Sequence, residues 1–205
     1  MEALQSLDLS SPKARLILQG VKSVFQERGY EGTSVEEIAR RAQVSKGTIY
    51  NYFPDKQTLF AAVVNGECQK QSQRIFKIDR NGEDIETLLR DIALHFVELF
   101  LSPFAQNVFR IVIAEAPRFP ELGQAFYASG PAIGRERLVE FLAQAVKDGE
   151  LAIEDLELAA DQFIALCKAD LFDRQLLGIK SHSTQSEIQE IADGVVVTFI
   201  KAFGS

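Results

Sequence analysis

The sequence predicts an all-α protein, with a small helix-turn-helix head at its N-terminal end and a larger helical body. Apolar residues recur at three- and four-residue steps along most of the 205 residues, which is the spacing of amphipathic helices. Residues that start or stop helices separate these segments. No segment shows the alternation of apolar and polar residues that indicates a strand. We place the head at residues 1–56 and the body at residues 57–205.

The first helix is predicted to begin at Ser11-Pro12 and to end at Gly29. Proline at the first helical position sacrifices no hydrogen bond, and glycine readily adopts the left-handed conformation that ends a helix. Thr33 and Glu36 have the spacing of a capping box, which predicts the start of a second helix.

Two further helices are predicted after a tight turn at Gln43. Ser45 is expected to cap a short third helix, which ends before Pro54 because proline disfavours helix in the residue that precedes it. Asp55 is expected to cap a long fourth helix. The two short helices and their turn, over residues 33–53, fit a helix-turn-helix.

The body is predicted to consist of helices separated by turns at Asn81-Gly82 and Asp148-Gly149. The last two helices have wide apolar faces, which favours an interface, although burial within one chain is the alternative for either helix. The predicted helices cover residues 85–100, 105–115, 122–128, 133–147, 155–177 and 186–203.

Charge is distributed unevenly along the chain. The whole sequence has a net charge of -7, but the stretch from Lys13 to Lys56 contains eight basic and five acidic residues. A basic head on an acidic body indicates that the head contacts a polyanion and the body does not. Chance scatter of charges is the alternative interpretation.

The composition excludes several classes of protein. Two histidines cannot build a zinc finger or a two-histidine zinc helix, and the distant Cys68 and Cys167 argue against a disulfide framework. An enzyme is disfavoured because no nucleophile–base pair and no Gly-rich phosphate loop is evident, and we predict no metal or cofactor. The chain shows neither a signal-peptide pattern nor an apolar run of about 20 residues, so we expect a cytoplasmic protein without a membrane partner.

The third helix carries more polar groups than a core helix would. It contains Ser45, Lys46, Gly47 and Thr48, followed by Ile49, Tyr50, Asn51 and Tyr52. Hydroxyl, amide and ammonium groups bind phosphate oxygens and base edges in the major groove, and glycine lets a backbone approach DNA closely. A plain helical hairpin with its polar face in water is the alternative.

At these residues the head resembles the N-terminal signature of the TetR-type (tetracycline-repressor-like) bacterial transcriptional regulators. The resemblance covers about the first sixty residues, and Gln43 departs from it because the family often has glycine at this turn. A left-handed backbone would cost glutamine about 1 kcal/mol, yet we expect the turn to form. The matching stretches are Thr33-Ser-Val-Glu-Glu-Ile-Ala39, Val44-Ser-Lys-Gly-Thr-Ile-Tyr50-Asn-Tyr-Phe53 and Asp55-Lys-Gln-Thr-Leu-Phe60.

The resemblance implies a DNA-binding role for nine residues. Phosphate contacts are implied for Thr33, Tyr50, Tyr52 and Lys56, and base contacts for Lys46, Gly47, Thr48 and Asn51, with Ser45 close by. Lys13 and Arg41 are further phosphate candidates. For Tyr50 the alternative is partial burial beneath the third helix.

The resemblance also implies how such a protein acts. It implies a homodimeric, ligand-responsive regulator, most often a repressor, that binds a palindromic double-stranded operator and is released by a small, largely apolar effector. The dimer would be a four-helix bundle of residues 155–177 and 186–203 from each subunit. The alternative is a protein-interaction module on the same fold, whose acidic body docks a protein partner.

The chain contains fifteen phenylalanines and no tryptophan, and most of the phenylalanines lie on the predicted helices of the body. In the family fold such helices surround an effector cavity, and cavities for small molecules are mostly apolar with a few polar groups. Burial in the core is the alternative for each aromatic residue. The stretch from Arg110 to Leu122 resembles a TetR-type C-terminal subgroup that includes repressors of multidrug efflux. The candidate effector residues are Phe96, Phe100, Phe109, Glu115, Phe126, Phe163 and Cys167.

Overall fold

The computed structural model describes residues 11–28, 32–75 and 82–204, with the backbone alone for residues 26 and 68–75. Gly29 and Asn81, two predicted punctuation residues, lie outside this range. Helices dominate the described chain, and its only β-type pairing is an isolated antiparallel bridge between Leu151 and Gly204. The all-α prediction is confirmed.

The helices agree with the predicted segments except near residue 167. Within the described residues, no single helix is both long and apolar enough to cross a membrane. The bent pair of helices Ile85–Leu101 and Pro103–Glu115 meets those criteria only when the two are taken together. The helices are α1 (Pro12–Arg28), α2 (Val35–Ala42), α3 (Lys46–Tyr52), α4 (Lys56–Ile75), α5 (Ile85–Leu101), α6 (Pro103–Glu115), α7 (Pro120–Ser129), α8 (Pro131–Lys147), α9 (Leu156–Leu166), α10 (Leu171–Leu176) and α11 (Gln185–Phe203).

The chain forms two compact units. The first comprises the chain up to Gln69 together with Asn107–Pro131, and the second comprises Lys70–Gln106 together with Ala132–Ser205. Helices α4 and α6 therefore contribute residues to both units. The division into a head of residues 1–56 and a body of residues 57–205 concerns function and stays a prediction.

In the first unit, α1 and α2 pack closely because both present small residues at their contact. A Cβ atom on Gly20 would lie 3.0 Å from the Cβ of Ala42, so only glycine fits at that position without a shift. Around this contact Ile17, Val21 and Ile38 have no exposed surface. The close contact fixes α2 on α1.

The turn between α2 and α3 forms as the sequence predicts. Gln43 adopts the left-handed conformation, with φ 54° and ψ 42°, and ends α2. The N–H of Val44 then donates to the carbonyl oxygen of Ala39 at 3.0 Å. The turn thus satisfies a free carbonyl at the end of α2 although it contains no glycine.

The caps of α3 and α4 are confirmed, but the predicted cap of α2 is wrong. Ser45 Oγ accepts the N–H of Thr48 at 3.0 Å, and the Asp55 carboxylate accepts the N–H of Thr58 at 2.6 Å. The cap of α2 is Ser34, not Thr33: its Oγ accepts the N–H of Glu37 at 3.2 Å. Thr33 is buried instead.

In the second unit, α5 lies along α11 and also contacts α10, while α9 packs against α11. Phe163 of α9 meets Phe199 of α11 edge-to-face, with ring centroids 5.1 Å apart. Both rings are fully buried. The inner faces of α9 and α11 therefore form part of the core of this unit.

The prediction of one helix over residues 155–177 is wrong, because the chain breaks between α9 and α10. The N–H of Lys168 donates to the carbonyl three residues earlier at 3.1 Å, and Asp170 adopts φ 33°. After the break, Phe172 lies edge-on to Phe100, with centroids 6.0 Å apart. No glycine or proline marks this break in the sequence.

Ionic contacts add to the packing of α1 against α2. The Arg41 guanidinium donates to both carboxylate oxygens of Glu27 at 2.7 Å, and to Ser23 Oγ at 2.6 Å. Hydrogen bonding from Arg41 lowers the pKa of Glu27 from 4.5 to about 2. This bidentate pair ties the end of α2 to α1.

Replacing Glu27 by Gln should destabilise the protein in a pH-dependent way. The pKa of Glu27 is lower in the folded than in the unfolded state, so its contribution to stability is fully present above about pH 4.5. That contribution is lost as the pH falls toward about 2. Denaturant titrations should show a gap in unfolding free energy between wild type and Glu27→Gln at neutral pH, which narrows on acidification below about pH 4.5. Glu140→Gln, an exposed change on α8, is the control, and a gap independent of pH would contradict this assignment.

Candidate nucleic-acid interface

Helix α3 has a buried side and an outward side. Ile49 is fully buried beneath the helix, as the sequence predicts. On the other side Lys46, Gly47 and Asn51 are exposed, and half of the Tyr50 surface is accessible. Four of the predicted contact residues therefore lie at the surface together.

The hydroxyl groups at the start of α3 form a local cluster. Ser45 Oγ lies 2.8 Å from Thr48 Oγ1 and also caps the helix. Ser45 is exposed and Thr48 half-buried. The capping bonds hold these hydroxyls in place, and the lone pairs and protons that remain are available to a nucleic acid.

Gly47 leaves the surface of α3 open. A Cβ atom at this position would meet only Ser45 Oγ, at 3.8 Å, within a 4 Å radius. Packing within the protein thus gives no reason for glycine here. A surface that approaches the backbone of α3 from outside would give one.

Lys46 is paired with an acid that the sequence interpretation missed. Its ammonium group binds the carboxylate of Glu36 on α2, and both side chains remain about half exposed. The two residues are ten positions apart. Because the packing of α2 against α3 decides this pairing, sequence spacing carried no signal for it.

The residues predicted to contact phosphate differ in their burial and in their partners. Thr33 is only 4% exposed, and Tyr52 is half-buried, with its hydroxyl 3.4 Å from Ser11 Oγ. Lys56 is half-buried at the start of α4. Lys13 and Arg41 line the same groove beside the turn, where Arg41 is engaged by Glu27. All five remain predictions as contacts.

The first turn of α4 is held by a side chain of α7. Gln57 Nε2 donates to Glu121 Oε1 at 2.6 Å. Gln57 follows Lys56, so this hydrogen bond reaches the edge of the predicted interface. Sequence analysis missed it because the two residues are 64 positions apart.

Three of the candidate effector residues belong to the first unit. Phe109 and Phe126 meet edge-to-face, with ring centroids 5.3 Å apart, and both are half-buried. Within the part of the chain that the structure describes, the buried Glu115 Oε2 has no hydrogen-bond partner. The structure thus pairs the two rings and leaves a carboxylate acceptor unsatisfied.

The other four candidate effector residues belong to the second unit. Phe96 and Phe100 stack at 5.9 Å, while Phe163 packs on α11 in the core. Cys167 is a free, buried cysteine, and burial raises the pKa of its thiol. The Cys68 side chain lies outside the described part. The structure brings Phe96 and Phe100 together, and effector contact stays a prediction for all seven residues.

Comparison with known families agrees with this arrangement. Residues 17–63 match the family described as bacterial regulatory proteins, tetR family, and residues 87–205 match the C-terminal domain of AefR-like transcriptional repressors. A curated relative, the uncharacterized HTH-type transcriptional regulator YuxN of Bacillus subtilis, is 37% identical over 78 residues, which are 38% of this chain and 27% of the relative. This similarity spans about a quarter of the length of YuxN.

Solved structures are similar over nearly the whole chain. A TetR-family regulator from Mesorhizobium loti has a TM-score of 0.83 and 27% identity, and the match covers 94% of this chain and 97% of that one. The flavonoid-responsive regulator FrrA has a TM-score of 0.77 and 32% identity, with coverage of 94% and 97%. Together with the α3 surface, these matches show that the chain belongs to the TetR family of bacterial transcriptional regulators, which are DNA-binding helix-turn-helix proteins and not enzymes.

Proposed function

We propose that this protein is a homodimeric, cytoplasmic repressor that binds a palindromic operator through α3 of each subunit. A small, largely apolar molecule bound in the body releases it. The main support for a DNA-binding role is the outward side of α3. Exposed polar groups surround Gly47 there, and packing within the protein does not require glycine at that position. One recognition helix reads only a few base pairs, so two copies on two half-sites supply the specificity.

On this proposal, some of the predicted residues contact base edges and others contact phosphates. Lys46 and Asn51 project an ammonium and an amide from the exposed side of α3, and such groups read base edges. Tyr50 offers an exposed hydroxyl to a flanking phosphate, and Lys56 supplies a charge at the start of α4. Thr33 has the weakest support among the predicted contacts, because it is buried next to the exposed cap Ser34.

The outer faces of α9 and α11 support dimerisation. Leu158 is 52% exposed and Val197 is 50% exposed, on helices whose inner faces pack together. Gly194, on the same helix as Val197, has no atom within 4 Å of its Cβ position. Small and apolar residues on an exposed surface allow two helix pairs to approach closely, as in a four-helix bundle.

Release by an effector requires coupling between the body and α3. Helix α4 begins directly after α3, and the hydrogen bond between Gln57 and Glu121 holds its first turn. A molecule that favours one position of α4 changes the spacing of the two recognition helices, and a coupling of about 1–3 kcal/mol is typical. The flavonoid-responsive regulator FrrA supports a response to a small molecule in this family.

The first test is Gly47→Ala, compared with Gly66→Ala in α4. Both glycines are helical and have room for a methyl group, so both variants should fold as stably as wild type or better. A methyl group facing DNA should weaken operator binding roughly ten- to a hundredfold, which matches the 1–3 kcal/mol of an overpacked contact. Binding to the upstream intergenic DNA is measured by fluorescence anisotropy across a salt series.

Wild-type binding should weaken steeply with salt, because phosphate contacts release counterions. Gly66→Ala should bind like wild type. The assignment of α3 as the recognition helix is contradicted if Gly47→Ala also binds like wild type.

A second test concerns Glu36, whose carboxylate engages Lys46 in the absence of DNA. Glu36→Gln frees the ammonium and removes a charge that repels phosphate, so binding to random-sequence DNA should tighten. The gain should be at most about fivefold, because an exposed ion pair contributes about 0–1 kcal/mol. Glu140→Gln is the control, and unchanged or weaker binding by Glu36→Gln would contradict the prediction.

A third test places a charge in the proposed dimer interface. Val197→Glu buries a carboxylate between two copies and should raise the dimer dissociation constant roughly a hundredfold or more. Light scattering after size-exclusion chromatography measures the mass, and circular dichroism confirms that the helices persist. Glu140→Arg on α8 is the control, and a Val197→Glu variant that stays dimeric at all concentrations would exclude this face.

A further inference from the structure

A cluster of aromatic and polar residues surrounds Phe100 at the end of α5, within the second unit. We call Phe96, Phe100, Gln106, Lys168 and Phe172 the Phe100 cluster. The Phe100 ring stacks on Phe96 and meets Phe172 edge-on. Gln106 bonds to the backbone of Phe100, and Lys168 lies over its ring. A single aromatic residue is therefore in contact with two polar side chains.

Gln106 has an unsatisfied acceptor. The residue is 3% exposed, and its Nε2 donates to the carbonyl oxygen of Phe100 at 2.8 Å. Its Oε1 is buried and has no hydrogen-bond partner among the described residues. Such an atom destabilises a folded protein, and native structures contain few of them. A hydrogen-bond donor brought by a ligand would satisfy it.

Lys168 brings a positive charge to the same cluster. Its Nζ lies 4.9 Å from the centre of the Phe100 ring and 5.8 Å from that of Phe172. Burial lowers the pKa of Lys168, and the charge of Asp173 partly offsets this effect. A half-buried cation on aromatic rings attracts a further π-system through its electron-rich face.

Two members of the Phe100 cluster, Lys168 and Phe172, lie in or just after the break between α9 and α10. Lys168 lies in the break, and Asp170 holds a positive φ that a non-glycine residue rarely adopts. The break is followed by Phe172, whose ring completes the cluster. Strained backbone of this kind concentrates at functional sites, where the surrounding structure maintains it.

We propose that the Phe100 cluster binds a hydroxylated aromatic molecule, whose hydroxyl donates to Gln106 Oε1 and whose ring packs against Phe100 and the Lys168 cation. This inference rests on the proposed function, because it names the chemical class of the effector. An apolar molecule without a donor would leave Gln106 Oε1 unsatisfied, so the site selects for the hydroxyl. Neither Gln106 nor Lys168 was a candidate in the sequence analysis.

The experiment uses 2-naphthol and 2-methoxynaphthalene as probes on the full-length protein. The two molecules share a ring system, but the ether cannot donate a hydrogen bond. Calorimetric titration should show that wild type binds 2-naphthol about tenfold or more tightly than the ether, as expected when a buried acceptor is left unpaired. Equal affinities, or no binding of either probe, would overturn the proposal.

Two variants test whether Gln106 and Lys168 cause the preference for 2-naphthol. Gln106→Met keeps the side-chain volume without the acceptor, so the preference for 2-naphthol should fall to about twofold or less. Lys168→Met should weaken both probes and leave the preference in place. A full preference in Gln106→Met would overturn the proposal, and Gln124→Met, an exposed change on α7, should match wild type.

Operator binding without a probe is measured on the same wild-type sample. If the protein binds DNA but shows no preference for 2-naphthol, the effector class is wrong and the regulator function stands. If it shows the preference but binds no DNA, the proposed function fails while the site stands.

Discussion

The direction in which α3 faces depends on the turn at Gln43. This residue ends α2 in a left-handed conformation, at a cost of about 1 kcal/mol for a side chain other than glycine. Two contacts that hold α2 on α1 offset this cost: the close packing of Gly20 against Ala42, and the ion pair of Arg41 with Glu27. With α2 fixed, the turn sets α3 with Ile49 inward and its polar side outward.

Side-chain contacts also fix the helix that follows α3 in the first unit. Asp55 caps α4 shortly after α3, and Gln57 in the first turn of α4 bonds to Glu121 of α7. This hydrogen bond joins the first turn of α4 to α7 within the first unit. On the proposed function, a molecule bound in the body would act by favouring one position of α4.

Many local features of the fold were predictable, because helix caps and apolar spacing are short-range properties. Ser45 and Asp55 were recognised as caps, and the helix bounds in most of the body followed from three- and four-residue steps. The cap of α2 is one residue later than predicted, at Ser34, and Thr33 is buried. Sequence spacing does not reveal which of two adjacent hydroxyl residues is buried.

The sequence by itself determined an all-α chain, its helix-turn-helix, and the polar residues of α3, since each depends on neighbours within a few positions. Only the tertiary structure decided which distant residues meet. The ion pair of Lys46 with Glu36 joins two helices, and the ring contact of Phe172 with Phe100 joins two others. Such contacts depend on how the helices pack, and no local pattern of residues encodes them.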